Sequence, residues 1–290
     1  MTDTTIGADN AAREANRDDS RLTGNFLSGP ATLSTMRTIA YNVYGCTGWP
    51  DEIAEETWGS EGEVVDRTAT ALAATDWDLL TIAEAPPAGV VRDLSTELGT
   101  DARVFPSRGD WPGAVITDLP ILEADAAPEL LDEPPADLFT RHAGRAVVTT
   151  EGDDFVVYSV HLHPSDEATR IAEIEHLREA IQVDLGADRP VVLQGDLNHR
   201  PDGPEYDVWR DIGLTDAYVA AGTEPERTFR ADEPAERIDY VWVSERLVEH
   251  VEAVGVVVDP PFGPGTAFTR PDGPFLSDHL PVAVEFDGRF

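Results

Sequence analysis

The sequence predicts a fold of mixed α and β structure. Segments with helical periodicity alternate along the chain with short apolar runs that are typical of buried strands. The 290 residues, of which 41% are hydrophobic, can supply the core of one large domain or of two small ones. There is no internal repeat, and the Pro and Gly clusters are typical of surface loops rather than domain linkers. We therefore favour one folded domain.

The first 35 residues differ from the rest of the chain. They are rich in Asp, Ala, Thr, Asn and Arg and show little apolar periodicity. Because such a composition cannot build a core, residues 1–35 are expected to form a disordered acidic tail and residues 36–290 the folded domain. Met36 opens the first strand-like run and is also a candidate start codon.

The remaining elements follow in order. Residues 165–184 predict a helix, since Ser165 or Asp166 can cap its start, and Gly186 is expected just after its end. The runs at 145–150 and 155–160 predict a β-hairpin. The other predicted elements are a helix at 64–74 and strands at 79–83 and 111–117.

The most informative stretch is residues 190–201, where an apolar run opens into Gly195, Asp196 and Asn198. Its apolar part suits a strand that is buried on both faces, and Gly195 permits a close backbone approach. Three other strand-like runs also end in or carry polar groups: the run before His161, the run around Asp239, and Leu276 before Ser277, Asp278 and His279. Four convergent strand ends predict an active site.

The charge of the chain is extreme. Its 21 basic residues, all Arg, face 56 Asp and Glu residues, which gives a formal net charge of -35. Molar salt shortens the Debye length to about 3 Å and screens such self-repulsion, so we expect a protein of a salt-rich cytoplasm. An ordinary acidic protein is the alternative. No secretory signal and no run of about 20 apolar residues is present, so a cytoplasmic location without membrane contact is expected.

Seven short motifs follow one another along the chain: Tyr41-Asn42, Ile82-Ala-Glu84, residues 113–121, Val160-His161-Leu162, Gly195-Asp196-Leu197-Asn198, Arg237-Ile-Asp239-Tyr240 and Ser277-Asp278-His279-Leu-Pro281. In this order they resemble the motifs of the endonuclease/exonuclease/phosphatase superfamily, the DNase I-like metal-dependent phosphoesterases. The resemblance runs from about Met36 to Phe286. It implies an α+β fold, a four-layer α/β/β/α sandwich of two mixed β-sheets flanked by helices.

The expected metal ligands carry hard oxygen atoms, as a Mg²⁺ or Mn²⁺ site requires. The resemblance implies that Glu84 is the principal ligand and that Asp278 binds the metal directly or through water. Asn42 offers a further oxygen at an adjacent strand end. The alternatives are an acidic cap on the loop before Pro86 for Glu84 and a turn residue for Asn42.

The expected catalytic residues are His161, Asp196, Asn198, Asp239 and His279. Asp196 and Asn198 alternate along an extended segment, so their side chains point to the same side. The resemblance implies that Asp196 orients or deprotonates the attacking water and that Asn198 supports the metal and the substrate. It also implies that Asp239 orients His279, which donates to the scissile phosphate, and that His161 contacts a non-bridging oxygen.

Three substrate classes compete: nucleic acid, a small soluble phosphoester and a phospholipid headgroup. A duplex binder ordinarily needs a basic footprint, and this chain offers only scattered Arg residues. Lipid is least favoured, because no basic amphipathic helix is present. Two departures from the family pattern, Tyr44 and Thr117-Asp118, concern the choice of substrate. A catalytically silent phosphate- or nucleic-acid-binding module is the alternative, and no obligate protein partner is implied.

Overall fold

The computed structural model describes residues 35–126, 138–150, 154–265 and 273–287. The tail expected at residues 1–35 lies outside this range except for Thr35. The strands are β1 (Met36–Asn42), β2 (Leu79–Ala83), β3 (Asp101–Phe105), β4 (Gly113–Thr117), β5 (Ile121–Ala126), β6 (Ala143–Thr149), β7 (Asp154–Val160), β8 (Val191–Asp196), β9 (Leu214–Asp216), β10 (Asp239–Ser244), β11 (Val251–Val256) and β12 (Val282–Phe286). The helices of the described part are α1 (Asp51–Trp58), α2 (Glu61–Ala73), α3 (Ala88–Glu97), α4 (Glu167–Gly186), α5 (Pro204–Ile212), α6 (Ala217–Ala221) and α7 (Glu245–Val248).

The strands form two six-stranded sheets. The first has the order β11-β12-β1-β2-β4-β3, and the second has the order β5-β6-β7-β8-β10-β9. Each sheet contains one parallel pair, β1 with β2 and β7 with β8, among antiparallel neighbours. The two mixed sheets that the resemblance implied are therefore confirmed.

The apolar residues divide into layers because most strands are buried on both faces. Ala40, Val157 and Val192 belong to the core between the sheets. On the outer face of the first sheet, Ile39 packs in a cluster with residues of α2 and α3. On the outer face of the second sheet, Leu193 packs with residues of α4 and α5. This is the expected four-layer α/β/β/α sandwich.

A buried amide joins the two sheets behind the strand ends. Gln194 in β8 accepts a hydrogen bond from Thr38 Oγ1 at 2.7 Å, and its Nε2 donates to the Ile39 carbonyl and to Thr81 Oγ1, each at 3.0 Å. A buried amide with both ends satisfied fixes the relative position of its neighbours. Since Gln194 lies two residues before Asp196, it holds the end of β8 against β1 and β2.

Helix α4 confirms the predicted cap and corrects the predicted end. The Asp166 side chain accepts a hydrogen bond from the Thr169 N–H, and Ile174, Leu177 and Ile181 are buried. Gly186 was expected just after the helix but lies within it, because the Ala187 N–H continues the pattern by donating to the Val183 carbonyl at 3.1 Å.

No helix in the described part of the chain is long and apolar enough to span a membrane.

The prediction of a strand that ends at Leu276 is wrong. Residues 273–281 form a loop apart from isolated bridges, and the last strand begins after it at Val282. Pro274 and Pro281 lack the N–H groups that a continuous ladder requires. The loop is held instead by single contacts, such as the bond from the Ala231 N–H to the Asp278 carbonyl at 2.7 Å.

Candidate active site

The predicted site residues lie where strands of both sheets end at the same edge of the sandwich. Asn42 is the last residue of β1, and Glu84 directly follows β2, its parallel neighbour. In the second sheet, Asp196 at the end of β8 is paired with Asp239 at the start of β10. The β1–β12 register, in which Ala40 pairs with Val282, brings the loop that carries His279 to the same place.

Gly195 allows this close arrangement. A Cβ atom at this position would lie 2.0 Å from the Val160 carbonyl oxygen, and the residue has a φ of +143°. Both facts require glycine. The close backbone approach that the sequence predicted brings Asp196 next to the end of β7, where His161 follows.

One carboxylate oxygen is the centre of the site. Asp196 Oδ2 lies 3.0 Å from Asn42 Nδ2, 3.5 Å from His161 Nε2 and 3.7 Å from His279 Nε2. Burial raises the pKa of Asp196 to about 7, with a further upward contribution from Asp239, while His279 and Asn42 oppose the shift. A carboxyl group that titrates near neutral pH is suited to accept a proton from water.

His279 is held by carboxylates on both sides. Its Nδ1 lies 2.9 Å from Asp239 Oδ2, and the Phe229 ring packs against the imidazole with a centroid distance of 4.9 Å. Burial alone would lower the pKa of His279, but the charges of Asp239, Asp196 and Asp278 raise it to about 10. His279 is therefore an imidazolium at neutral pH.

His161 has the opposite protonation preference. It is 1% exposed, and its backbone N–H donates to the His142 carbonyl at 2.9 Å. Burial, with further electrostatic contributions from His142, Arg141 and His279, lowers the pKa of His161 well below its usual range. The two imidazoles that face Asp196 thus differ in charge: His279 is positive and His161 is neutral.

Asn198 is fixed by its own backbone and by its amide. Its N–H donates to Asp196 Oδ1 at 3.1 Å, and its Nδ2 donates to the Leu162 carbonyl at 3.0 Å. The residue has a φ of +52°, in the left-handed region that non-glycine residues seldom adopt. Asn tolerates this conformation better than most residues, and the bond from its Nδ2 joins the loop after β8 to the loop after β7.

Glu84 and Asp278 complete the set of oxygen donors. Glu84 also has a positive φ, +50°, and burial raises its pKa, with Asn42 and His279 opposing the shift and Asp278 adding to it. Burial likewise raises the pKa of Asp278, whose Oδ1 lies 4.0 Å from His279 Nε2. Two half-buried carboxylates that repel one another favour a bound cation, and their hard oxygen atoms fit Mg²⁺ or Mn²⁺.

A second set of residues could also bind a metal ion. Ligand atoms of Asp196, Asp239 and His279, all buried, lie within 4.8 Å of one another in the described part of the chain. The His279 Nδ1, however, is already engaged by Asp239, and the charged imidazolium has no lone pair for a metal. This geometry favours the Glu84 side of the site for coordination.

Two residues next to the site were not singled out from the sequence, His142 and Glu173. His142 Nε2 lies 3.0 Å from Ser159 Oγ, and Glu173 accepts hydrogen bonds from the N–H groups of Phe139 and His163. The predicted pairing of the two hairpin strands could have indicated His142. Because β6 and β7 are antiparallel neighbours, the residues before β6 must lie beside those after β7.

Comparisons with known proteins agree with this geometry. A family model described as "Endonuclease/Exonuclease/phosphatase family" matches residues 39–279. The mannosyl-6-phosphatase of Bacteroides thetaiotaomicron is 20% identical and has a TM-score of 0.64, covering 87% of this chain and 99% of its own. The truncated TDP2 of Caenorhabditis elegans is 15% identical and has a TM-score of 0.63, covering 88% of this chain and 98% of its own.

The human Nocturnin catalytic domain is a third solved structure with the same fold. It is 19% identical and has a TM-score of 0.61, covering 87% of this chain and 93% of its own. At these identities the three structures show a shared fold. None of the curated proteins is significantly similar to this chain in sequence.

Proposed function

This chain belongs to the endonuclease/exonuclease/phosphatase family, and on that premise we propose that it hydrolyses a phosphodiester or phosphomonoester bond with a divalent metal ion. The observation that carries the proposal is the convergence on Asp196 Oδ2. An amide, a neutral imidazole and an imidazolium, from three separate segments, lie within 3.7 Å of this one oxygen. That arrangement provides a proton acceptor, hydrogen-bond donors and positive charge in one place.

Each side chain then has a defined task. Asp196, held by Asn42, orients the attacking water and accepts its proton. His279, kept charged by Asp239, places positive charge where negative charge grows on the phosphate, and His161 donates to a non-bridging oxygen. Asn198 holds the loops after β7 and β8 in place around the substrate.

Glu84, Asn42 and Asp278 would hold the metal ion. Bound there, Mg²⁺ or Mn²⁺ would polarise a phosphoryl oxygen and stabilise the leaving alkoxide. The raised pKa values of Glu84 and Asp278 support this assignment, because a dication offsets both the desolvation of their ionised forms and the repulsion between the carboxylates. The attack of water is expected to be in line with the leaving oxygen.

The substrate is a nucleic acid or a small soluble phosphoester. The net charge of -35 opposes binding to duplex DNA in dilute buffer, although molar salt weakens that argument. The structural neighbours include a protein named as a mannosyl-6-phosphatase, so a small phosphomonoester is a candidate. We also propose that the protein works in a salt-rich cytoplasm, which would make low-salt assays uninformative.

The test is hydrolysis of bis(p-nitrophenyl) phosphate, p-nitrophenyl phosphate and nicked or abasic duplex DNA in molar KCl, with Mg²⁺ or Mn²⁺ against EDTA. Metal-dependent cleavage of any of them should fall by roughly 100-fold or more in Asp196→Asn and His161→Ala. Asp207→Asn, an exposed carboxylate on α5, is the matched control and should keep full activity. Circular dichroism shows whether each variant is folded.

A folded wild-type protein that cleaves none of these esters under any metal condition would favour the binding-module alternative. Against that alternative, Glu84, Asp196, Asn198, Asp239, Asp278 and His279 all keep side chains competent for catalysis. Phosphate binding without turnover would be its positive sign. Unchanged turnover in Asp196→Asn would overturn the assignment of the site.

A further inference from the structure

Arg141 differs from the well-buried arginines of the described part of the chain. Its guanidinium forms no ion pair with any described residue, and its buried Nε has no hydrogen-bond partner among them. The guanidinium carbon lies 5.0 Å from the centroid of the Trp111 indole. This cation–π contact leaves the N–H donors of the guanidinium unused. The paired arginines are Arg37 with Asp76 and Glu285, Arg145 with Asp184, Arg170 with Glu205 and Arg237 with Asp216.

Strand pairing places Arg141 beside the catalytic groups. It precedes His142 and the start of β6, where Ala143 pairs with Val160 at the end of β7. Its neighbour in space is therefore the segment that carries His161. The positive charge of Arg141 contributes to the lowered pKa of His161, after burial and His142, and it opposes the rise in the pKa of Glu84. Arg141 is thus within electrostatic reach of both.

The loop that carries Arg141 is fixed on both sides. The Gly109 N–H, from the loop that holds Trp111, donates to the Thr140 carbonyl at 3.1 Å. On the other side, Glu173 accepts the N–H groups of Phe139 at 3.0 Å and His163 at 2.9 Å. The backbone before Arg141 is therefore fixed and its guanidinium lies over the Trp111 ring, which reduces the entropy lost when the side chain binds a ligand.

The charge around the site favours a further cation beside the proposed metal ion. Four carboxylates, those of Glu84, Asp196, Asp239 and Asp278, surround one imidazolium, so an incoming phosphate meets an excess of negative charge. A guanidinium with unused donors can bind two phosphate oxygens at once. Trp111 is 37% exposed, so the Arg141–Trp111 pair lies at the rim, where a ligand enters.

We propose that Arg141, supported on Trp111, is the phosphate-receiving residue of this site and binds the non-bridging oxygens of the substrate's phosphate group. The inference rests on the proposed function for the identity of the anion. It adds a binding residue that neither the strand-end motifs nor the metal ligands provide. Arg141 takes no proton and forms no covalent bond in this role.

The test measures the binding of inorganic phosphate by isothermal titration calorimetry in molar KCl with Mg²⁺. Arg141→Gln should weaken binding by about 10-fold or more, because a charged hydrogen-bonding pair is lost. The phosphate affinity of Arg141→Lys should lie between those of wild type and Arg141→Gln, because lysine keeps the charge but lacks the paired N–H donors of the guanidinium. Arg67→Gln is the matched control: Arg67 lies 5.4 Å from the Trp58 ring on the surface of α2, away from the site. Its phosphate affinity should equal that of wild type.

A second measurement needs no variant. Phenylglyoxal modification of wild-type arginines, followed by peptide mass spectrometry, should show Arg141 protected by phosphate and Arg67 unprotected. Equal phosphate affinity of wild type and Arg141→Gln, or modification of Arg141 that phosphate does not change, would overturn the inference. This measurement decides the matter if Arg141→Gln fails to fold.

The two proposals can fail separately. If wild type binds phosphate through Arg141 but cleaves no ester, the proposed function fails and the phosphate-binding role of Arg141 stands. If wild type cleaves esters and Arg141→Gln keeps the same KM, kcat and phosphate affinity, the phosphate-binding role of Arg141 fails and the proposed function stands. A raised KM that added guanidinium ion partly restores would support both.

Discussion

The Nδ1 atom of His279 lies 2.9 Å from Oδ2 of Asp239, a residue 40 positions earlier in the chain. A carboxylate can only accept here, so Nδ1 carries a proton and Nε2 is the atom turned toward Asp196, 3.7 Å away. The contact thus sets both the orientation and the charge of the imidazole. Its consequences can be measured.

Asp239→Asn should move the alkaline limb of the pH–rate profile to lower pH. In wild type, burial lowers the pKa of His279, but three carboxylates raise it to about 10. Removing one negative charge destabilises the imidazolium, so its pKa falls and activity is lost at a lower pH. We expect kcat at pH 7 to fall by roughly 100-fold as well. A variant with reduced activity but an unshifted alkaline limb would contradict the role of Asp239.

Glu84→Gln should weaken Mg²⁺ binding by about 10-fold or more. Because the pKa of Asp196 is raised to about 7, a nearby dication that favours its ionised form should release protons at pH 7. Calorimetry in two buffers with different ionisation enthalpies measures that release. Glu175→Gln, an exposed carboxylate on α4 paired with Arg178, should leave both quantities unchanged. Equal Mg²⁺ affinity in Glu84→Gln and wild type would remove Glu84 from the ligand set.

Glu173 should make stability depend on pH. Burial outweighs the bonds from His163 and Phe139 and raises its pKa from 4.5 to about 7. Between these two values the folded protein binds more protons than the unfolded chain, so the free energy of unfolding falls as pH rises from 4.5 to 7. Glu173→Gln does not titrate. Its stability relative to wild type should therefore improve across this window, by up to about 3 kcal/mol.

Urea unfolding at pH 5 and pH 8 measures this difference. Glu179→Gln on the exposed face of α4 is the control and should follow wild type at both values. A constant difference between Glu173→Gln and wild type would show that Glu173 has an ordinary pKa.

Salt should stabilise the fold. With a net charge of -35 and no lysine, carboxylate repulsion opposes compaction, and the Debye length falls from about 8 Å at physiological salt to about 3 Å at 1 M. The urea midpoint should rise between 0.2 and 2 M KCl, whereas sucrose at matched osmolarity should not reproduce the whole rise. A midpoint independent of KCl would favour the ordinary acidic protein over a salt-adapted one.

Much of the architecture could be predicted because its signals are local. The run ending at Asn42 and the run 79–83 correspond to β1 and β2, and the predicted hairpin corresponds to β6 and β7. The segment before Ser277 was misread as a strand. In the structure it is a loop, in which Phe275 stacks on Trp49 and the Leu276 N–H donates to the Pro261 carbonyl. Arg141 carried no local signal at all: only the register of β6 against β7 brings it to His161.

By itself, the sequence determined the mixed α and β class, the polar residues at the strand ends, the ordered family motifs and the charge that salt must screen. Only the tertiary structure decided that Asn42, His161 and His279 meet at one oxygen of Asp196, and that Arg141 lies near them without a carboxylate partner among the described residues. The physical reason is that distances between remote segments come from strand pairing and the packing of one sheet on the other. Protonation states follow from those distances and from burial, so the opposite charges of His161 and His279 exist only in the folded chain.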